Sequence, residues 1–344
     1  MADALISPLV GGAAWAASAV SVSYAASKIK NELSEKKVPL MAVAAAFVFA
    51  AQMINFTIPG TGSSGHIGGG ILLAGLLGPL PALLAIAAVL VIQCLFFADG
   101  GLLALGCNIF NMGVIPCLAV YPLIFRPLLR NGVSAKTITA ASLLSVVAGL
   151  QLGAFGVVVE TRLSGVTALP FSVFVLLMQP IHLAIGLVEG IITAAVLNFV
   201  YALRPEIQES SLKGGSIAAG ISLRKVLLCL AAITLVTGGF FSLFASAYPD
   251  GLEWAMEKTL IAAGASGGPE GLAEAEGPLF RRAEAIQEAA AFMPDYGFPA
   301  PEGKEGAAAG TTVAGLVGSV LTCVLAGGAG WLIFRIKKNR LKSA

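Results

Sequence analysis

Apolar residues run along most of this chain in long blocks, broken by short polar, glycine- or proline-bearing stretches. A helix needs about 20 predominantly apolar residues to cross a bilayer. On that measure the pattern predicts helices near 8–27, 39–56, 68–78, 80–97, 107–125, 137–159, 170–202, 223–247 and 310–334. The third is short, and Pro79 and Pro81 part it from the fourth. The seventh is the longest, and Pro180 removes a hydrogen bond inside it. The expected fold class is all-α. Residues 1–205 form a polytopic membrane bundle of about seven helices, 206–222 a polar linker, and 223–344 a two-helix transmembrane hairpin around a long external loop. On the opening helix Ala13, Ala17, Ser21 and Ala25 recur every four residues, and such a small stripe lets another helix come close.

Composition agrees. The chain is 57% hydrophobic and only 12% charged, where soluble domains carry roughly 25% charged residues. The net charge of +2 gives no reason for a nucleic-acid partner. The distribution of charge says more, because cytoplasmic loops are enriched in lysine and arginine. With the N-terminus outside, the inner segments hold Lys28, Lys30, Lys36, Lys37, Arg126, Arg130, Lys136, Arg204, Lys213, Arg224, Lys225 and the bases from Arg335 to Lys342. The outer side keeps Arg162, Lys258, Arg281, Arg282 and Lys304. The external loop 248–309 is acidic, from Asp250 and Glu253 through Glu270, Glu274 and Glu276 to Glu302 and Glu305. Two readings fit it: a field that concentrates cations, or a solvated tether. The first residues lack the basic lead-in of a signal peptide and are expected to remain in the mature protein. The five cysteines are scattered singly, which fits small apolar packing residues rather than a zinc cluster or disulfide framework.

Polar residues stand out against this background. His66 lies in Gly60-Thr61-Gly62-Ser63-Ser64-Gly65-His66-Ile67-Gly68-Gly69-Gly70, between two apolar blocks. Irregular backbone at a membrane boundary must be buried in protein or line a cavity. An imidazole there is either a hydrogen-bonding residue or a ligand for a transition metal such as zinc, copper, nickel or cobalt. Asn108 and Asn111, i and i+3 at a helix start, either orient a ligand or pin broken helix ends. His182 and Glu189 are two helical turns apart and share a face, as a pathway or as a structural contact. The chain has no G-x-x-x-x-G-K-[ST] and so no ATP site of the P-loop kind. Gly62-Ser63-Ser64-Gly65 raises one alternative, an intramembrane serine protease with Ser64 as nucleophile and His182 as base.

These residues resemble the CbiM/NikM family, the substrate-specific membrane component of cobalt and nickel energy-coupling-factor transporters. The likeness covers about residues 1–205. It rests on Met1 to Pro8, His66 to Gly70, Leu77-Gly78-Pro79, Asp99-Gly100-Gly101, Leu105 to Gly113 and His182 to Gly190. Residues 223–344 resemble the small CbiN/NikN-like (PDGLE) module, through Tyr248 to Glu253 and Asp295 to Pro299. The resemblance implies Co²⁺ or Ni²⁺ as transported substrate, captured outside and carried across a bacterial cytoplasmic membrane for cobalamin synthesis or nickel enzymes. It implies a separate transmembrane coupling (T) component and cytoplasmic ABC-type ATPases as partners.

In that family the N-terminus tucks into the bundle and binds the metal through its terminal amine, a backbone nitrogen and a second-position histidine. A loop histidine, matched here by His66, completes a roughly square-planar set. The ligands carried over are therefore His66 and the Met1 amine, with Asn108, Asn111, His182 and Glu189 around them. This chain begins Met1-Ala2, without the family's Met-His. The expectation is that the working protein starts a few codons earlier with Met-His, which intact-mass analysis of native protein decides.

Overall fold

A computed structural model describes residues 1–29, 33–167, 169–218, 220–264, 277–298 and 307–342. The apolar blocks are helices, since only a helix satisfies its own backbone in lipid without a closed barrel. Their ends follow local chemistry. Helix α1 (Pro8–Lys28) starts on Ser7, whose hydroxyl accepts from Val10 N, with Pro8 at the first turn. Helix α2 (Lys37–Gln52) is buried along nearly its whole length and stops four residues short of the expected 56. Helix α3 (Gly70–Leu77) is too short to cross. Gly78 at φ 88° and Pro79 turn the chain into α4 (Pro79–Phe97).

The next span, Leu105–Leu129, is composite. A short α5 (Leu105–Ile109) leads into i→i+5 winding over Phe110–Phe125, and α6 (Arg126–Leu129) follows. Pro116 and Pro122 inside it lack N–H donors, and wider π-type winding is one way a helix absorbs such gaps. Helix α7 (Ala135–Ser164) opens on a Ser134/Thr137 capping box and closes on Gly165 at φ 63°. Helix α8 (Phe171–Leu203) runs on through Pro180.

Two expectations change. The linker 206–222 contains a helix, α9 (Pro205–Lys213), which buries Ile207, Gln208 and Ser211. Ser211 Oγ donates to Ala74 O of α3 at 2.8 Å, so polar side chains serve as contacts rather than solvation. The described part of 248–309 is also folded: α11 (Gly251–Ala262) and α12 (Pro278–Ala290) follow α10 (Arg224–Gly239) and precede α13 (Ala307–Lys342). Helix α10 ends eight residues before the predicted 247, in a 3₁₀ turn over Phe241–Phe244. Glu270, Glu274, Glu276, Glu302, Glu305, Lys30 and Lys304 lie outside the described residues.

The C-terminal hairpin packs against α2. A Cβ on Gly315 would lie 2.3 Å from Gly238 O, and one on Gly318 would lie 2.0 Å from the Phe49 ring, so both contacts require glycine. The two ends of the bundle differ. At one, Lys36 and Lys37 donate to backbone carbonyls of residues 215–221, and Lys338 pairs with Glu35 at 3.0 Å. The other holds the N-terminus, the His66 loop and the Asp99–Gly101 turn. Helix α12 reaches that turn: Gln287 Nε2 donates to Gly100 O at 2.7 Å, and Tyr296 stacks on Phe97 and bonds Asp99.

Candidate metal centre

Two three-residue strands, β1 (Phe56–Ile58) and β2 (Ser63–Gly65), form an antiparallel hairpin that pairs Phe56 with Gly65 and Ile58 with Ser63. Its turn uses Gly60 at φ 77° and Gly62 at φ 75°. The chain then runs irregularly through His66 and Ile67 to Gly70. This stretch can be buried because its backbone is met from two helices, with a third behind them. Glu189 on α8 accepts from Gly68 N and Gly69 N, both at 2.8 Å. Gln52 Nε2 on α2 donates to Gly68 O at 2.9 Å, and Gln93 Nε2 on α4 donates to Gln52 Oε1 at 2.9 Å. Met112 O and Pro116 would crowd any Cβ on Gly70.

The loop edges a cavity of about 150 Å³, lined by Met1, His66, Asn108, Asn111, His182 and Glu189 among others. The six candidates for the metal site named from the sequence therefore border one space, whereas Ser64 does not line it. His66 Nδ1 lies 3.1 Å from Ile67 O, and His182 Nδ1 lies 2.8 Å from Met178 O. A carbonyl only accepts, so Nδ1 is the donor in each ring, and in a neutral ring that leaves Nε2 with its lone pair. That is the tautomer a metal-ligating imidazole adopts when a carbonyl holds its other nitrogen. Among the described residues no three His, Cys, Asp or Glu side chains converge into a metal cluster. Beside the imidazoles, main-chain and terminal nitrogen are further donors of the kind transition metals take.

The N-terminus supplies such nitrogen at the cavity. Met1 O accepts from Gly101 N at 3.1 Å and from Asn108 Nδ2 at 3.4 Å, and Asp3 Oδ1 accepts from Ala104 N at 2.8 Å. Leu5 and Ile6 are fully buried behind it. A Cβ on Gly101 would fall 1.9 Å from Asp3 Oδ1, so glycine is what lets the terminus lie here. Asn108 thus pins the first residue. Asn111 points elsewhere: its Nδ2 donates to Glu160 Oε2 at 2.8 Å, and its buried Oδ1 has no partner among the described residues. Neither amide bonds a histidine.

Sequence reasoning left two contributors out. Glu160 is one; the predicted helix stopped one residue before it, although a carboxylate continuing an apolar span was the available signal. The other is Asp250-Gly251-Leu252, which lines the cavity from more than 180 positions downstream. Residues on either side of it add to the hairpin edge: Ser64 N donates to Pro249 O at 2.8 Å, Ser64 Oγ to Tyr248 O at 2.8 Å, and Trp254 Nε1 to Thr61 O at 2.9 Å. Asp250 caps α11 by accepting from Leu252 N and Glu253 N. Burial, then the Asp250 charge, raises the Glu253 carboxyl above its ordinary value. Part of the acidic loop is therefore a wall of the cavity, not a tether. Ser64 spends its hydroxyl on the Tyr248 and Pro249 carbonyls while His182 is turned to Met178, so no nucleophile–base hydrogen bond joins them.

Comparison with known proteins adds three findings. Residues 1–207 match the CbiM family, described as a cobalt uptake substrate-specific transmembrane region, and residues 224–335 match the PDGLE domain. A relative from Archaeoglobus fulgidus, provisionally named a fused nickel transport protein NikMN, is 33% identical over 89% of this chain and 90% of its own length. One from Haloquadratum walsbyi, provisionally named a metal transport protein, is 35% identical over 64% of this chain and 98% of its own. The crystal structure of a transition metal transporter superposes with a TM-score of 0.53 at 32% identity, covering 60% of this chain and 94% of that one.

Proposed function

The chain belongs to the CbiM family, with a PDGLE domain behind it, and from that premise we propose that it captures Co²⁺ or Ni²⁺ at the cavity edged by His66 and Met1. Its function is uptake of a divalent transition metal, as a multi-pass membrane protein and not an enzyme. The serine-protease alternative falls with that. Ser64→Ala is expected to leave uptake within about twofold of wild type, because it removes a hydroxyl–carbonyl hydrogen bond worth about 1 kcal/mol. Loss of uptake with normal membrane insertion would contradict this.

The observation that carries the metal reading is the cavity itself. Two imidazoles with Nε2 free and the first residue of the chain share about 150 Å³, inside a loop whose buried amides are satisfied. Nitrogen donors suit nickel and cobalt and disfavour calcium and magnesium. His66 and the Met1 nitrogen act as ligands; Asn108 holds Met1, Glu189 holds the loop, His182 lines another wall, and Asn111 lines the cavity while bonded to Glu160. Residues 1–205 form the capturing unit, 206–222 the connection and 223–344 the accessory hairpin. The site end faces outward and the basic end faces the cytoplasm, in a bacterial cytoplasmic membrane. Energy comes from ABC-type ATPases acting through a transmembrane coupling component, since the chain has no P-loop.

Elemental analysis of the purified full-length protein, loaded with cobalt and nickel in competition, tests the reading. One equivalent of either metal is expected, with magnesium and calcium excluded. A protein that retains neither refutes it.

A further inference from the structure

A second hollow, at the basic end, is unrelated to the metal cavity. It lies where the Leu105–Leu129 span ends, beside the turn into α7 and the corner between α8 and α9, and measures about 910 Å³. Arg126 and Arg130, one helical turn apart, line it with Lys213, Tyr201 and Glu209. Lys213 is already paired with Glu209 at 3.6 Å. Among the described residues neither guanidinium has an ion-pair partner, and both are exposed. Two uncompensated cations with planar donor forks suit a phosphate oxyanion better than a carboxylate already held by a lysine.

The surroundings decide which phosphate. Leu123 is 75% exposed one turn before Arg126, and Leu128, on the opposite face of the helix, is 39% exposed. Both sit at the end of an apolar span, where lipid tails meet headgroups. Tyr201 stands at the same level, its hydroxyl donating to Val133 O at 2.9 Å, as interfacial aromatics do. Basic pockets between spanning helices at this level hold anionic headgroups.

We propose that this cleft binds the phosphodiester headgroup of an anionic phospholipid, with Arg126 and Arg130 on the phosphate and the acyl chains running toward Leu123. The inference needs the chain to lie in a membrane and does not depend on the metal reading.

The test is native mass spectrometry of the full-length protein in detergent, titrated with phosphatidylglycerol, cardiolipin or phosphatidylcholine. Both anionic lipids are expected to bind at least tenfold more tightly than phosphatidylcholine. Each of Arg126→Gln and Arg130→Gln should weaken that binding about fivefold, and the pair should weaken it further than either alone, without simple multiplication because both share one phosphate. Lys225→Gln, exposed at the start of α10 on the same end, should leave it unchanged. Millimolar inorganic phosphate should not compete, because the acyl contacts are missing. The proposal is overturned by equal binding of phosphatidylcholine, by an equal loss in Lys225→Gln, or by full competition from free phosphate. It is likewise overturned if the arginine pair leaves lipid binding intact and instead weakens association with a partner protein.

Discussion

His66→Ala is expected to abolish cobalt and nickel uptake while the protein stays in the membrane at wild-type level. The imidazole is half-buried at the cavity, and its one hydrogen bond runs to the carbonyl of the next residue. Removing it therefore costs the fold little, whereas the cavity keeps only the His182 imidazole. Loss of an outer partner of a metal ligand weakens affinity about 10- to 100-fold. Loss of the ligand itself should exceed about 100-fold on that scale. Metal accumulation in cells, read beside the amount of protein in the membrane fraction, checks it. Undiminished accumulation removes His66 from the site.

The second large effect is expected from Glu189→Gln. Both carboxylate oxygens accept from loop amides, Gly68 N and Gly69 N. A glutamine keeps one acceptor and turns an NH₂ toward the other amide, leaving a buried donor unmet at a cost of about 1–3 kcal/mol. The loop then loses the clamp that fixes where His66 enters the cavity. Metal affinity should fall about 10- to 100-fold, as for other outer partners, with the metal-free protein also melting lower. Calorimetric titration and a thermal shift on the same preparation check both parts. A glutamine variant that binds metal like the wild type would show the loop to be held by Gln52 and Gln93 alone.

The spans were legible because lipid imposes one rule on every segment. The His66 loop was legible for the same reason: a histidine among glycines has no place in an apolar helix. Three features were not. Helix α9 is polar, and its polarity is spent on Ala74 and on its neighbours rather than on water. The winding across Pro116 and Pro122 depends on how a span absorbs missing donors, which composition does not dictate. The wall around Asp250 needed contact across more than 180 positions, and an acidic, loop-like composition hid the helices that carry it.

That wall has a consequence for how the site assembles. Because Tyr248 to Leu252 arrive on the same polypeptide as the hairpin they brace, closing the chamber is a first-order event, set by local effective concentration. Were the genes for the two halves separate, the same closure would be second-order, and ion occupancy would track the stoichiometry of two independently made proteins. Covalent continuity makes capture indifferent to expression ratio.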